Sequence, residues 1–154
     1  MTEKKIENNP KYEIIANYIK DLSFEIPSAE SFLDAAQNLG KYETKIDISN
    51  KPLKNGILEL NFKIFFEAPK DIKNKIHAEG CLAIIFKITD TKLKEEEIKR
   101  IILAEIPGLY GNKLSNLMAD LFQKSGFKEF RFKEEINFEK LYLEQTNINP
   151  TQKH

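Results

Sequence analysis

Apolar and polar residues alternate with a period of two along the first part of the chain, the pattern of a strand that buries one face. Lys20 interrupts the apolar row, as a bulge or an exposed end would. Pro27 ends the strand because proline has no amide donor. The opposite face carries Asp21 and Glu25. The apolar positions are Tyr12, Ile14, Ala16, Tyr18, Leu22, Phe24 and Ile26.

Three more alternating segments follow, at residues 42–49, 58–67 and 75–89. Turn sequences separate them, with Asn55-Gly56 before the third strand and Ala68-Pro69-Lys70-Asp71 after it. The odd positions of the fourth strand change from polar to apolar, so we expect its second half to be covered on both faces. The four strands together predict an antiparallel sheet of meander or Greek-key order.

Beyond residue 89 the apolar spacing changes to three and four residues, which predicts helices. The first helix covers 94–105 and is expected to end at Pro107-Gly108. The second begins at Leu109 and ends at Ser125-Gly126. A last short helix opens at Asn137. Strands followed by helices predict an α+β fold, a four-stranded antiparallel sheet with the C-terminal helices packed on one face.

A single domain is predicted over residues 12–145, since 154 residues suffice for one core. The polar residues 1–11 are expected to be a flexible N-terminus, and residues 146–154 a flexible tail. The connector 28–40 is expected to hold one short helical turn.

Charge and cysteine content exclude several classes of protein. The chain has 24 basic and 24 acidic residues, whereas proteins that capture nucleic acid usually carry a basic excess. The longest apolar run, CLAIIF at 81–86, is far shorter than a membrane span of roughly 18 residues. One cysteine excludes an internal disulfide. Because the first residues lack the apolar segment of a secretory signal, the cytoplasm is the expected compartment.

Candidate catalytic residues are few. Cys81 lies inside the run CLAIIF, where burial disfavours the thiolate, so an inert, packed cysteine is expected. His77 and Glu79 share a strand face, but no further residue completes a triad with them. Neither metal-ligand spacing nor a phosphate-binding loop occurs. These observations favour a binding protein without metal or cofactor over an enzyme, and a small-ligand-binding α+β domain stays open as an alternative.

Phenylalanine is abundant, with eleven residues against no tryptophan. Phe127, Phe130 and Phe132 fall in a predicted loop between two helices. They either pack under that loop or line an apolar groove, since apolar patches rimmed by polar residues mark interaction sites. A solvent-exposed sheet edge offers a second binding device, because an extended peptide can add to it as a strand.

The order of these segments resembles the SecB family of protein-export chaperones. In that family the first strand carries a pattern close to Y-x-K-D-x-S-F-E-x-P, which the segment YIKDLSFEIP at 18–27 reproduces. Gly126-Phe127 at the end of the long helix matches a second family feature. Asn137-Phe138 with Leu141-Tyr142 in the last helix matches a third. The similarity covers roughly residues 12–145.

The resemblance implies a cytoplasmic, ATP-independent holdase that binds unfolded preproteins in apolar grooves and delivers them to the motor ATPase SecA. It implies a homotetramer, arranged as a dimer of dimers, without insertion into the membrane. The matching motor-docking positions are Asp21, Glu25 and Glu79. The groove is expected to draw on Leu109, Tyr110, Phe127, Phe130 and Phe132.

The chain departs from the family at the start of the long helix. The family usually has Cys-Pro and then Leu-Phe-Pro-Tyr-Ala-Arg, whereas this chain has Ile106-Pro107 and YGNKLS at 110–115. The groove rim and the tetramer contact are the features that this difference affects. The alternative function is that of a SecB-like adaptor dedicated to a non-export client such as an antitoxin.

Overall fold

The computed structural model describes residues 10–132 and 136–144. Residues 1–9 of the predicted flexible N-terminus and the whole predicted tail 146–154 lie outside the described residues. The strands are β1 (Tyr12–Glu25), β2 (Glu43–Pro52), β3 (Ile57–Glu67) and β4 (His77–Ile88). The helices are α1 (Ala29–Asn38), α2 (Glu95–Arg100), a π-helical segment (Ile101–Glu105), α3 (Ile106–Lys124) and α4 (138–144). Short 3₁₀ turns cover Leu39–Lys41 and Lys54–Gly56.

The four strands form one antiparallel sheet in the order β1-β4-β3-β2. Strands β2, β3 and β4 are consecutive neighbours. Strand β1 lies beside β4, and the long connection that contains α1 carries the chain from β1 to β2 at the opposite edge of the sheet. This is the Greek-key order, and it confirms the predicted α+β fold with a four-stranded antiparallel sheet. The arrangement leaves β1 and β2 as the two edge strands of the sheet.

Strand β1 contains two register shifts, one between Ile14 and Ala16 and the other between Ile19 and Asp21. The second coincides with Lys20, where the alternation predicted a bulge. The first was not predicted. Between the two shifts, each side chain lies on the face of the sheet opposite to the one that the alternation predicted. Tyr18 therefore faces away from the helices and is 41% exposed, so its expected place on the buried face is wrong.

The core lies between the sheet and α3. Gly80 on β4 lets α3 approach closely, because a Cβ at that position would lie 2.9 Å from Cδ1 of Leu114. Full burial of a large apolar side chain stabilises a fold by about 1.5–3 kcal/mol. The fully buried side chains include Leu60, Phe62, Ile64, Leu82, Ile84, Phe86, Ile101, Ile106, Leu114, Met118 and Phe122.

The helical run continues from α2 to α3 through Pro107, so the predicted break at Pro107-Gly108 is wrong. Proline lacks an N–H and is tolerated in a first helical turn, and Pro107 occupies the start of α3. The preceding turn is π-helical, and the amide of Ile106 bonds to the carbonyl of Ile101. The connector 28–40 likewise holds a full helix, α1, in place of a single turn. Its N-cap is Ser28, whose Oγ accepts the amide of Ser31 at 3.0 Å.

Helix α4 begins where the sequence predicted, since Oδ1 of Asn137 accepts the amide of Lys140 at 2.9 Å. Phe138 packs over Gly111 of α3, where a Cβ would lie 2.5 Å from the Phe138 ring. The same ring meets Phe62 edge-on, with centroids 5.3 Å apart. Because Gly111 has no side chain, α4 can pack closely against both α3 and the sheet.

Candidate functional site

An open groove of about 1380 Å³ lies between the start of β2, one face of α3 and the segment that leads into α4. Its floor is apolar, while the α3 wall is polar. The apolar lining residues include Tyr42, Ile46, Ile64, Phe66, Phe130, Phe132, Ile136 and Leu141. The α3 wall consists of Asn112, Ser115, Asn116, Ala119 and Gln123.

Aromatic stacking fixes the floor of the groove. The ring of Phe130 stacks on Phe122 of α3 with centroids 4.1 Å apart. Nε2 of Gln123 donates to the carbonyl of Phe130 at 2.9 Å. Phe132 meets the Phe130 ring edge-on at 5.1 Å. The loop after α3 is thus held against the helix, and its aromatic side chains face the groove.

The structure divides the five residues that the sequence assigned to a groove. Phe130 and Phe132 line the groove described above. Phe127 does not, since it is 7% exposed and packs on Phe32 of α1 with ring centroids 4.8 Å apart. Leu109 and Tyr110 lie near the start of α3, outside the groove lining, and Leu109 is 62% exposed. The role of all five as client contacts stays a prediction.

Sequence reasoning did not identify the β2 wall or the polar wall of α3. Residues 112, 116, 119 and 123 recur at helical spacing, and that period was the available signal. It was overlooked because the apolar stripe Leu114, Met118 and Phe122 on the neighbouring face dominates the pattern.

The three predicted docking carboxylates share the outer face of the sheet, which is opposite the helices. Asp21 pairs with Cys81 across β1 and β4, Glu25 pairs with His77, and Ser23 between them pairs with Glu79. Nε2 of His77 lies 3.6 Å from Oε1 of Glu79. The structure therefore brings Asp21, Glu25 and Glu79 together at one end of this face, and their contact with a partner stays a prediction.

The other end of the outer face contains a buried carboxylate, Glu59, which is 5% exposed. Its Oε2 accepts the hydroxyl of Tyr18 at 2.9 Å and the Nζ of Lys20 at 3.1 Å, and Lys51 lies 4.0 Å from Oε1. The hydrogen bond from Lys20 holds the pKa of Glu59 below its usual range, whereas the bond to Glu59 raises the pKa of Tyr18 and of Lys20. This end of the face is therefore not acidic in character.

The described part of the chain offers little for catalysis. Cys81 is 4% exposed, and burial raises the pKa of its thiol, which makes it a weak nucleophile at neutral pH. Over residues 10–132 and 136–144, no three His, Cys, Asp or Glu side chains are placed to hold a metal ion. No helix within those residues is long and apolar enough to cross a membrane.

Curated relatives of similar length match most of the chain. A putative protein-export protein SecB of Pelagibacter ubique is 32% identical over 136 residues, covering 88% of this chain and 97% of the relative. The protein-export protein SecB of Zymomonas mobilis is 28% identical and covers 89% of this chain and 81% of the relative. That of Orientia tsutsugamushi is 30% identical and covers 80% and 74%.

Among solved structures, a SecB-like chaperone of Mycobacterium tuberculosis, in complex with a ChAD peptide from the HigA1 antitoxin, has the same fold. The TM-score is 0.57 at 9% sequence identity, and the match covers 81% of this chain and 91% of that chain. The family model described as preprotein translocase subunit SecB matches residues 5–149. This chain therefore belongs, as a divergent member, to the SecB family.

Proposed function

We propose that this protein is an ATP-independent holdase, which binds unfolded precursor proteins in the groove and delivers them to the SecA motor for export. Membership of the SecB family supports a chaperone role. The observation that carries the client-binding step is the open groove of about 1380 Å³ with its apolar floor. An unfolded chain exposes apolar side chains, and their burial on an aromatic floor is favourable without any particular sequence.

The β2 edge adds a second means of holding a client. In the described part of the chain β2 pairs only with β3, so its other edge presents unpaired N–H and C=O groups. Residues 43–46 of this strand also line the groove. An extended client segment pairs with such an edge through its main chain. Each contact is modest, which suits a holdase that must release its client.

Docking to SecA is assigned to Asp21, Glu25 and Glu79. The support is that these carboxylates share the outer face of the sheet, whereas the groove opens on the helix side. A client and the motor would then occupy separate surfaces, so transfer would not require the motor to displace the client first. The protein acts in the cytoplasm in this proposal, where precursors and the motor meet.

The proposed assembly is a homotetramer, a dimer of dimers. Edge strand β1 exposes Ile15, Tyr18 and Leu22, and α3 exposes Leu109. Exposed apolar side chains on an edge strand favour association with another chain. Light scattering should give about four times the 17.9 kDa of one chain, and a monomer at micromolar concentration would argue against the proposed assembly.

Suppression of aggregation tests the holdase function. A slowly folding precursor is diluted from denaturant in the presence and absence of the protein, and light scattering is followed without ATP. We expect suppression at a stoichiometric amount of tetramer. Unaltered aggregation at several-fold molar excess would reject the holdase.

A second candidate is a chaperone dedicated to a non-export client. The observation that favours it is the structural neighbour, a SecB-like chaperone bound to an antitoxin peptide. Binding of purified SecA separates the two candidates, because only the export chaperone needs the motor. The small-ligand alternative is disfavoured by the open shape and apolar floor of the groove, which suit an extended chain.

A further inference from the structure

The polar wall of α3 differs in chemistry from the rest of the groove. Asn112, Asn116 and Gln123 present side-chain amides along one helix face, opposite the apolar floor. A groove that only buried apolar side chains would gain nothing from amides, because polar groups removed from water cost free energy unless they are hydrogen-bonded.

Two of these side-chain amides, those of Asn112 and Asn116, are available to form hydrogen bonds with a ligand. Gln123 is occupied, since its Nε2 donates to the carbonyl of Phe130 at 2.9 Å. Asn112 and Asn116 are exposed, and within the described residues their side chains form no hydrogen bond. Each amide offers two donor hydrogens and an acceptor oxygen. Each therefore matches a ligand that presents a donor and an acceptor side by side.

Charges of both signs border the described part of the groove in equal number. Within residues 10–132 and 136–144, the acidic rim residues are Glu43, Glu129 and Glu144, and the basic ones are Lys45, Arg131 and Lys140, three of each sign. Such a rim does not favour a ligand of either sign. The polar chemistry shared by all unfolded polypeptides is the main chain, which carries one N–H and one C=O at almost every residue.

The spacing of the two amides fits an extended main chain. Residues four apart on a helix are separated by about 6 Å along its axis, from a rise of about 1.5 Å per residue. On one edge of an extended chain, the N–H and C=O pairs that point the same way recur every two residues, at roughly 6.6 Å. Asn112 and Asn116 are therefore spaced to contact two such pairs on a segment that runs along α3.

We propose that Asn112 and Asn116 bind the main chain of an extended, unfolded polypeptide at two residues that are two apart, while its side chains contact the aromatic floor. The inference rests on the proposed holdase function and adds how the groove tolerates different client sequences. The two amides fix the direction and depth of the segment, and the floor accepts any apolar side chain.

Ester substitution in a peptide probe tests the main-chain contact. The probe is a fluorescently labelled, uncharged peptide of about twelve residues with alternating leucine and serine. Its partner probe has esters in place of two amides that are two residues apart, which removes the N–H donors and leaves every side chain unchanged. We expect the wild-type protein to bind the ester probe more weakly, by about fivefold for each hydrogen bond lost.

The double variant Asn112→Ala/Asn116→Ala should bind the amide probe several-fold more weakly than the wild type does, and should lose most of the preference for amide over ester. Asn112→Leu/Asn116→Leu replaces each amide by an apolar side chain of similar branched shape and should also lose that preference. Gln37→Ala removes an exposed amide of α1, outside both the groove and the β2 edge, and should retain it. Circular dichroism checks the fold of each variant.

The outcomes separate the inference from the proposed function. If the wild-type protein binds both probes equally, or if the double variants retain the wild-type preference, the main-chain contact is refuted while client binding stands. If the wild-type protein binds neither probe and does not suppress aggregation, the holdase function and the inference both fail.

Discussion

Tyr18 on edge strand β1 donates its hydroxyl to Oε2 of Glu59 on β3 at 2.9 Å, across the strand β4 that separates them. The β4 residue paired with Tyr18 is Ala83, whose small side chain leaves room for this contact. Lys20, at the second register shift, reaches the same carboxylate at 3.1 Å. The Glu59 carboxylate on the inner strand β3 therefore stabilises the irregular part of edge strand β1 through two side-chain hydrogen bonds.

Glu59→Gln should lower the free energy of unfolding at pH 7, and the difference from the wild type should shrink in acid. The hydrogen bond from Lys20 lowers the pKa of Glu59 in the folded state. A lowered folded-state pKa gives stability that is fully present above the unfolded value of about 4.3 and is lost as the pH falls through the folded value. Urea unfolding of both proteins between pH 7 and pH 3 measures the difference. If the difference in unfolding free energy between the two proteins stays constant down to pH 3, the predicted contribution of the ionised Glu59 is contradicted.

The contact between Gly111 and Phe138 predicts that Gly111→Ala is destabilising. The new Cβ would lie 2.5 Å from the Phe138 ring, so α4 must shift, and overpacking of this kind costs about 1–3 kcal/mol. Gly108→Ala is the matched control on the same helix, because nothing lies within 4 Å of a Cβ there. It should stabilise by up to about 1 kcal/mol through helix propensity. Urea unfolding measures the stability of both variants. Equal changes in unfolding free energy would show that Phe138 of α4 does not contact Gly111 in solution.

Cys81 is predicted to be unreactive in the folded protein. Its thiol is buried, and burial raises its pKa, so the reactive thiolate is disfavoured in the folded protein. Alkylation by iodoacetamide at pH 8 should be slower in buffer than in urea by on the order of tenfold or more. Mass spectrometry follows the reaction, and the unfolded chain is its own control. Equal rates in both conditions would restore Cys81 as a candidate nucleophile.

Local pattern predicted those parts of the fold that depend on sequence neighbours. The alternation in β3 places Leu60, Phe62 and Ile64 on one face, and the structure buries all three fully. The first shift in β1 was missed because Ile15 is apolar, and its place outside the ladder depends on pairing with β4. A proline inside a helical pattern predicts a helix end at Pro107, because the π-helical turn that precedes it leaves no trace in hydrophobic spacing.

The candidate groove was only partly predictable for the same physical reason. Its aromatic floor includes Phe130 and Phe132, which stood out as apolar residues in a loop. Its two walls come from residues 42–46 and 112–123, which are distant in sequence and become neighbours only through the order of the strands and the packing of α3. The buried carboxylate of Glu59 was missed likewise, since its partners Tyr18 and Lys20 lie on another strand.

Charge reversal on β1 is expected to weaken binding to SecA. Asp21 and Glu25 lie on the outer face of the sheet and are exposed, so Asp21→Lys/Glu25→Lys changes the field of that face while leaving the groove intact. We expect the affinity for purified SecA to fall by roughly tenfold or more, with a smaller dependence on salt, because exposed charges act over about 10 Å at 0.1 M salt. Titration calorimetry at two salt concentrations measures both effects.

Asp47→Lys is the matched control for each single reversal, Asp21→Lys and Glu25→Lys, because all three variants change the net charge by two units. Asp47 is exposed on β2, pairs with Lys63 and shares the outer face, but it lies at the opposite edge of the sheet. Its reversal should change SecA affinity much less than either single reversal on β1. All three proteins should suppress precursor aggregation equally, since the groove is on the other side. If the single β1 reversals and Asp47→Lys weaken SecA binding equally, the contact depends on the overall charge of the face, and the assignment to Asp21 and Glu25 fails.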